Sequence, residues 1–256
     1  MQEIPLEIID FAEFMADEAR KISRLYYRSQ MGVETKEDKS PVTEADRKIE
    51  DTMRKLVQNN FSKHGVYGEE FGQSNENAEY KWVIDPIDGT KSFISGRPVF
   101  GTLISLVHNA KPVLGIIDQP VIDERWIGVN GVTKFNGKQV NTRSGMNVGS
   151  SIFAVTSPLV FNDRAKFIAE RLASEAAFTI YGGDCYSYGQ LAMGLVDIVI
   201  ESNLKPYDFC ALVPIIENAG GVITDWRGNA VDMNSAGDVV ACGDARLHKQ
   251  LLEKFF

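Results

Sequence analysis

Trp82-Val83-Ile84-Asp85-Pro86-Ile87-Asp88-Gly89-Thr90-Lys91-Ser92-Phe93 opens with a short apolar run, then breaks at Pro86 into two acids three residues apart. The run has the pattern of a buried strand. An aspartate at a strand end and a second on the next turn can aim both carboxylates into one small volume. Left unpaired there, they repel and raise each other's pKa. A hard divalent cation removes that cost, because Mg2+ takes oxygen ligands and keeps several waters. Gly89 allows close backbone approach, and a helix starting at Thr90 would turn free N–H groups toward a phosphate. Asp-Pro-x-Asp alone is equally an acidic turn closing a strand, so the rest of the chain decides.

Upstream, Ile4, Ile8, Phe11, Met15, Ala19, Ile22 and Tyr26 recur every three to four residues, so 4–29 reads as an amphipathic helix with a stop at Gly32. Residues 33–42 are polar, a hairpin or loop. Thr43 fits an N-cap for a second helix carrying Ile49, Met53, Leu56 and Val57. Asp46 then reads first as a helix-start acid favoured by the dipole. A short strand at 64–67 leads to Gly68-Glu69-Glu70, where adjacent glutamates point to opposite sides, so only one can face the aspartates. Residues 72–80 read as a polar loop.

Downstream, Val99–Val107, Val113–Ile117, Arg125–Val129 and Val132–Val140 are short, apolar and β-branched, with Asn-Gly turn signals at 130–131 and 136–137. They predict an antiparallel sheet on the first two helices. A polar, Gly-rich segment at 144–150 divides an α+β part, 1–143, from an α/β part, 144–256, within one compact unit. The second part alternates strands (152–156, 178–181, 196–201, 222–224, 239–242) with helices (163–177, 186–194, 208–219, and from 245), a layered α/β arrangement. Asp208, after Lys205-Pro206-Tyr207, reads alone as a helix cap. Glu201, closing an apolar strand, sits at an open end or near a ligand.

Size and composition bound the function. The 256 residues are 44% hydrophobic and 24% charged, those of a globular protein with a sizeable core. A net charge of −8 argues against nucleic acid or an anionic membrane as partner. Cys185, Cys210 and Cys242 have neither disulfide-framework nor zinc spacing, which points to a reducing cytoplasm. The N-terminal stretch lacks a signal-peptide pattern, and no run reaches the roughly 18 apolar residues of a membrane span. His64, His108 and His248 read as surface or loop residues, and Trp126 and Trp226 as packing. Arg97 reads as a subunit contact or an anion ligand.

Taken together, Glu69, Asp85, Asp88 and Asp208 form an all-oxygen donor set without histidine or cysteine, suited to a two-metal site that hydrolyses a phosphoryl group. Gly-Glu-Glu at 68–70, Asp-Pro-Ile-Asp-Gly-Thr at 85–90, and Tyr207-Asp208 followed by Glu-Asn-Ala-Gly-Gly-Val at 217–222 resemble the inositol monophosphatase superfamily across the chain. Tyr207 departs from the Trp of many members, and the loop between Glu69 and Asp85 is short for an inositol phosphatase. Lys39–Asp46, Lys91–Pro98, Gly115–Pro120, Gly183–Tyr186 and Lys205–Phe209 are most similar to the histidinol-phosphate phosphatase branch.

The resemblance implies an αβαβα sandwich, two or three Mg2+ per site and a homodimer. It implies that Glu69, Asp85 and the Ile87 carbonyl hold one ion. Asp85, Asp88 and Asp208 hold a second, and Glu69 reaches a third. Glu69 and the Thr90 hydroxyl would orient the attacking water, with Asp46 positioning Thr90. The N–H groups of Gly89, Thr90 and Lys91 would cradle the phosphate, with Asp208 beside the substrate and Asp184 and Glu201 on the alcohol side. The implied substrate is a small phosphate monoester: histidinol phosphate, or alternatively an inositol, sugar or nucleotide phosphate. A non-catalytic binding role is the alternative outside enzymes.

Overall fold

The computed structural model describes residues 3–29, 33–35 and 41–256. The expected stop at Gly32 and the motif residues Lys39 and Ser40 lie outside them. Helix α1 (Leu6–Tyr26) follows Pro5 and buries Phe11, Met15, Ala16 and Ala19. Strands β1 (Val33–Thr35) and β2 (Pro41–Thr43) form a small antiparallel ribbon. Helix α2 (Glu44–Asn60) begins at Thr43 as the sequence predicts. Asp46 completes a capping box, its carboxylate accepting the Thr43 N–H at 2.8 Å.

Next come β3 (Gly65–Gly68), β4 (Gly72–Ser74), β5 (Tyr80–Asp88) and α3 (Thr90–Ile94). Then follow β6 (Gly101–His108), β7 (Lys111–Gln119), β8 (Glu124–Val129), β9 (Val132–Phe135) and β10 (Lys138–Val140). These strands form one sheet in the order β10-β9-β8-β7-β6-β5-β3-β4. It departs from expectation in three ways. Part of the predicted 72–80 loop is the edge strand β4, whose polar residues suit an open edge. Val132–Val140 is two strands joined at Asn136-Gly137. The sheet is mixed, since β3 runs parallel to β5.

The second half contains β11 (Ile152–Val155), α4 (Asp163–Glu175), β12 (Phe178–Tyr181), α5 (Cys185–Ala192), β13 (Ile198–Glu201), α6 (Pro206–Phe209), α7 (Leu212–Asn218), β14 (Val222–Asp225), β15 (Val239–Cys242) and α8 (Ala245–Phe255). Its sheet has the order β12-β11-β13-β15-β14, with β15 antiparallel to both neighbours. The predicted helix 208–219 is broken into α6 and α7. Pro214 has no N–H for the Cys210 carbonyl four residues back, and that carbonyl accepts the Ser105 hydroxyl at 3.2 Å instead.

Alternation along the strands builds the layers. Trp82 and Ile84 pack with Phe11, Met15, Ile49 and Met53 on the α1–α2 side. Val83, Leu103 and Ile117 face Tyr188, Phe209, Leu212 and Ile215, a cluster continuing into Val199 and Ala241 of the second sheet. The far face of that sheet packs on α4 and α8 through Ile168, Leu172 and Leu251. The result is an αβαβα sandwich with a core running through both halves.

Two of the three histidines differ from the reading above. His248 is buried, its Nε2 2.7 Å from the Thr224 hydroxyl. His64 is half-buried and stacked between Phe61 and Tyr80. Trp126 and Trp226 are buried packing residues. Among the described residues no helix is long and apolar enough to cross a membrane, and the three cysteines are free and buried.

Candidate active site

Strand β5 runs past Pro86, but its pairing with β6 shifts. Asp85 stands opposite Leu103 and Asp88 opposite Gly101, so two residues face the single Thr102. This is a β-bulge. In a regular strand, residues 85 and 88 would point to opposite faces. The extra residue turns both toward the α6 side. The Ile87 N–H donates to Asp85 Oδ1 at 3.0 Å, and the Thr102 hydroxyl holds the Pro86 carbonyl at 2.8 Å. Gly89, at φ +85°, then reverses the chain into α3.

Helix α6 brings the third acid. Asp208 caps it from within, one oxygen accepting the Lys205 N–H at 2.7 Å. Oxygens of Asp85, Asp88 and Asp208 lie within 4.8 Å of one another. Asp85 is buried, whereas Asp88 and Asp208 open partly to a cavity of about 560 Å³. Glu69, Gly89, Thr90, Lys91, Asp184 and Glu201 also line that cavity.

The electrostatics follow from crowding acids in a desolvated space. Burial, then repulsion from Glu69, Asp88 and Asp208, drives the Asp85 carboxyl far above its usual range. Burial and the nearby Asp184 and Asp208 charges do the same to Asp88. Burial pushes Asp208 up to about 7, against the stabilising Lys205 amide. Glu201, buried and accepting the Thr156 N–H at 2.7 Å, also rises to about 7. Asp184 is raised by burial while the Arg97 and Lys91 charges oppose the rise. Clustered all-oxygen donors with unneutralised charge are the surroundings a hard cation fits.

Asp46 is buried beneath this site and pushed up to about 6, mainly by desolvation. Its carboxylate is taken by the Thr43 N–H and hydroxyl, the latter at 2.5 Å. The Thr90 hydroxyl donates to the Ile87 carbonyl at 3.1 Å, not to Asp46. Asp46 and Thr90 are thus each bonded locally in this structure. Arg97 stands on the cavity rim near Gly182 and Asp184. Tyr207 meets Tyr67 edge-on at 5.8 Å, supporting the Asp208 turn.

One functional contact was invisible in the sequence. The Cys185 N–H, at the start of α5, donates to Asp88 Oδ2 at 2.5 Å and so fixes one oxygen of that carboxylate. A backbone amide carries no side-chain signal.

Comparison with known proteins sets this geometry in context. The profile of the inositol monophosphatase family matches residues 5–255. A chloroplastic bifunctional phosphatase of Arabidopsis thaliana is 47% identical over 249 residues, covering 93% of this chain and 72% of the relative. A histidinol-phosphatase of Chlorobaculum parvum is 32% identical, covering 89% of each chain. The solved structure of an inositol monophosphatase from Zymomonas mobilis superposes with a TM-score of 0.89 at 43% identity, over 96% of each chain.

Proposed function

Since this chain belongs to the inositol monophosphatase family and is a phosphatase of that family, we propose that it hydrolyses L-histidinol phosphate to L-histidinol and phosphate, a step of histidine biosynthesis. The observation carrying this reading is the pair Asp184 and Glu201, two acids lining the same cavity as the metal-type cluster. Histidinol phosphate carries an ammonium group and an imidazole that can protonate. Each charge-assisted contact to such a group contributes about 1.5–3 kcal/mol. The histidinol-phosphatases among the relatives support the same choice.

In this reading Glu69, Asp85 and the Ile87 carbonyl would hold one Mg2+, and Asp85, Asp88 and Asp208 would hold a second. When bound, the ions place positive charge against the phosphoryl oxygens and make water acidic enough to attack near neutral pH. Glu69 would also orient the attacking water. The Thr90 hydroxyl would orient that water, with Asp46 as a further positioning acid. The first N–H groups of α3, from Gly89, Thr90 and Lys91, receive the phosphate. Asp208 flanks the leaving oxygen, while Asp184 and Glu201 bind the cationic alcohol.

A second reading, an inositol or sugar phosphate as substrate, is favoured by the Lys91 and Arg97 cations on the same rim and by the Zymomonas mobilis relative. Steady-state kinetics on histidinol phosphate beside myo-inositol 1-phosphate, each with Mg2+, separates the two. Asp184→Ala or Glu201→Ala is expected to raise KM for histidinol phosphate roughly tenfold or more, the loss of one charge-assisted contact. Equal losses on both esters would sink the specificity argument.

A further inference from the structure

Glu50 lies one turn after Asp46 on α2 and is fully buried. Its carboxylate does not face solvent, as an acid in a helix of alternating charges would. Oε2 accepts the Glu70 N–H at 2.6 Å, and Oε1 accepts the Phe71 N–H at 3.1 Å. Arg54, one further turn along, donates Nε to Oε1 at 2.8 Å and also reaches the Gly72 carbonyl. A Cβ on Gly68 would lie 2.1 Å from Oε1, so this position must be glycine for the carboxylate to enter. The turn Gly68–Gly72, which carries Glu69, is thus held from below by one acid and one cation.

We propose that Glu50, charge-balanced by Arg54, is a positioning residue that aims Glu69 at the catalytic cations. The turn closes the β3–β4 hairpin, its ends Gly68 and Gly72 paired with each other and Gly68 also with Ile84, while residues 69–71 between them lie outside the strands. Two amide donors converging on one carboxylate fix the peptides on the C-terminal side of Glu69. The Glu69 N–H bonded to the Ile84 carbonyl at 3.3 Å fixes its own peptide to β5. With both sides held, the Glu69 side chain leaves the turn in one direction. Removing groups that orient a metal ligand typically costs 10–100-fold in affinity or activity. This inference rests on the reading of Glu69 as a metal ligand.

The test titrates Mg2+ into the purified full-length protein by calorimetry, with melting temperature and kcat for p-nitrophenyl phosphate measured alongside. Glu50→Gln keeps the shape but removes the charge and turns an NH2 toward a donor. It is expected to weaken Mg2+ binding and lower kcat by about 10–100-fold with KM little changed. Arg143→Met, which breaks the bidentate pair with the buried Asp197, serves as a destabilised control and is expected to leave Mg2+ affinity intact. Glu50→Gln behaving like that control overturns the positioning role. Glu69→Gln without effect on Mg2+ binding overturns the parent reading, and the proposal with it. If Glu50→Gln does not fold, Arg54→Met is expected to weaken Mg2+ binding in the same direction by a smaller factor. Unchanged affinity there refutes the clamp.

Discussion

Removing divalent cations from this protein should invert the ordinary pH dependence of its stability. In the metal-free fold, burial holds the Asp208 proton up to about 7, whereas its ordinary value is 3.8. Between those values the folded chain keeps a proton that the unfolded chain has released. The Asp208 contribution to stability is therefore full below about pH 4, falls as pH rises, and is lost above about 7. For Asp208 alone the difference is on the order of 4 kcal/mol, and Asp85 and Asp88 are shifted in the same direction. In a chain of this size, 1 kcal/mol moves Tm by roughly 2–4 °C, so the scale is about 10 °C.

The assay is thermal unfolding between pH 5 and 8, in EDTA and in saturating Mg2+. Bound cations take the place of the protons, so the Mg2+-induced rise in Tm should grow with pH. His64 and His248, pushed down by burial, act in the opposite sense, adding stability as pH rises toward 6.5. They are not among the clustered acids and cancel in the Mg2+-minus-EDTA difference. Asp208→Asn removes the titration and should raise Tm in EDTA at pH 8 while shrinking the Mg2+ shift. A Mg2+ shift equal at pH 5 and pH 8 would refute the claim that uncompensated carboxylates fill this site.

Two substitutions probe the chemistry directly. Asp88→Asn leaves an oxygen for the Cys185 amide but withdraws one charge from the cluster. Its kcat should fall by several orders of magnitude with the fold intact by circular dichroism, and a mild effect would favour a binding role over catalysis. Gly89→Ala forces a side chain into a left-handed backbone at φ +85°, with its Cβ 2.9 Å from Asp184 Oδ2. We expect a loss of about 1–3 kcal/mol in unfolding free energy together with a higher KM, and unchanged stability would show that the turn is not as constrained as described.

Much of this arrangement is legible in the sequence because it is written in side chains. The Thr43 cap, the apolar stripe of α2 and the hairpin at Asn130-Gly131 follow from local chemistry. Each of the four acids has an ordinary local reading, and only their combination with the flanking motifs singles them out. What the sequence hides is relational. The bulge that turns Asp85 and Asp88 to one side depends on how β5 pairs with β6, which no local pattern records. Glu50 looks like half of an ordinary i,i+4 pair with Arg54 until the Gly68 turn is seen to close over it. His248 reads as a surface residue because its partner, Thr224, is 24 positions away. Pro214 was a usable signal: a proline seven residues into a predicted helix marks the break between α6 and α7.

The same physics explains why so much of the scaffold serves so few atoms. Three carboxylates drawn into one desolvated space, with Glu69 on the same cavity wall, work against the fold, and cations relieve that only if the oxygens stand where ions can bind several at once. Each clustered acid is accordingly tied by a backbone donor: Asp85 by the Ile87 amide, Asp88 by Cys185 and Asp208 by Lys205. Such ties satisfy one lone pair while leaving another open, and they fix direction without adding a competing side-chain cation. An arginine in any of these places would neutralise the cluster more strongly and leave no vacancy for Mg2+. On the proposed reading, the fold gives up some metal-free stability for a cluster of acids that a divalent ion would complete.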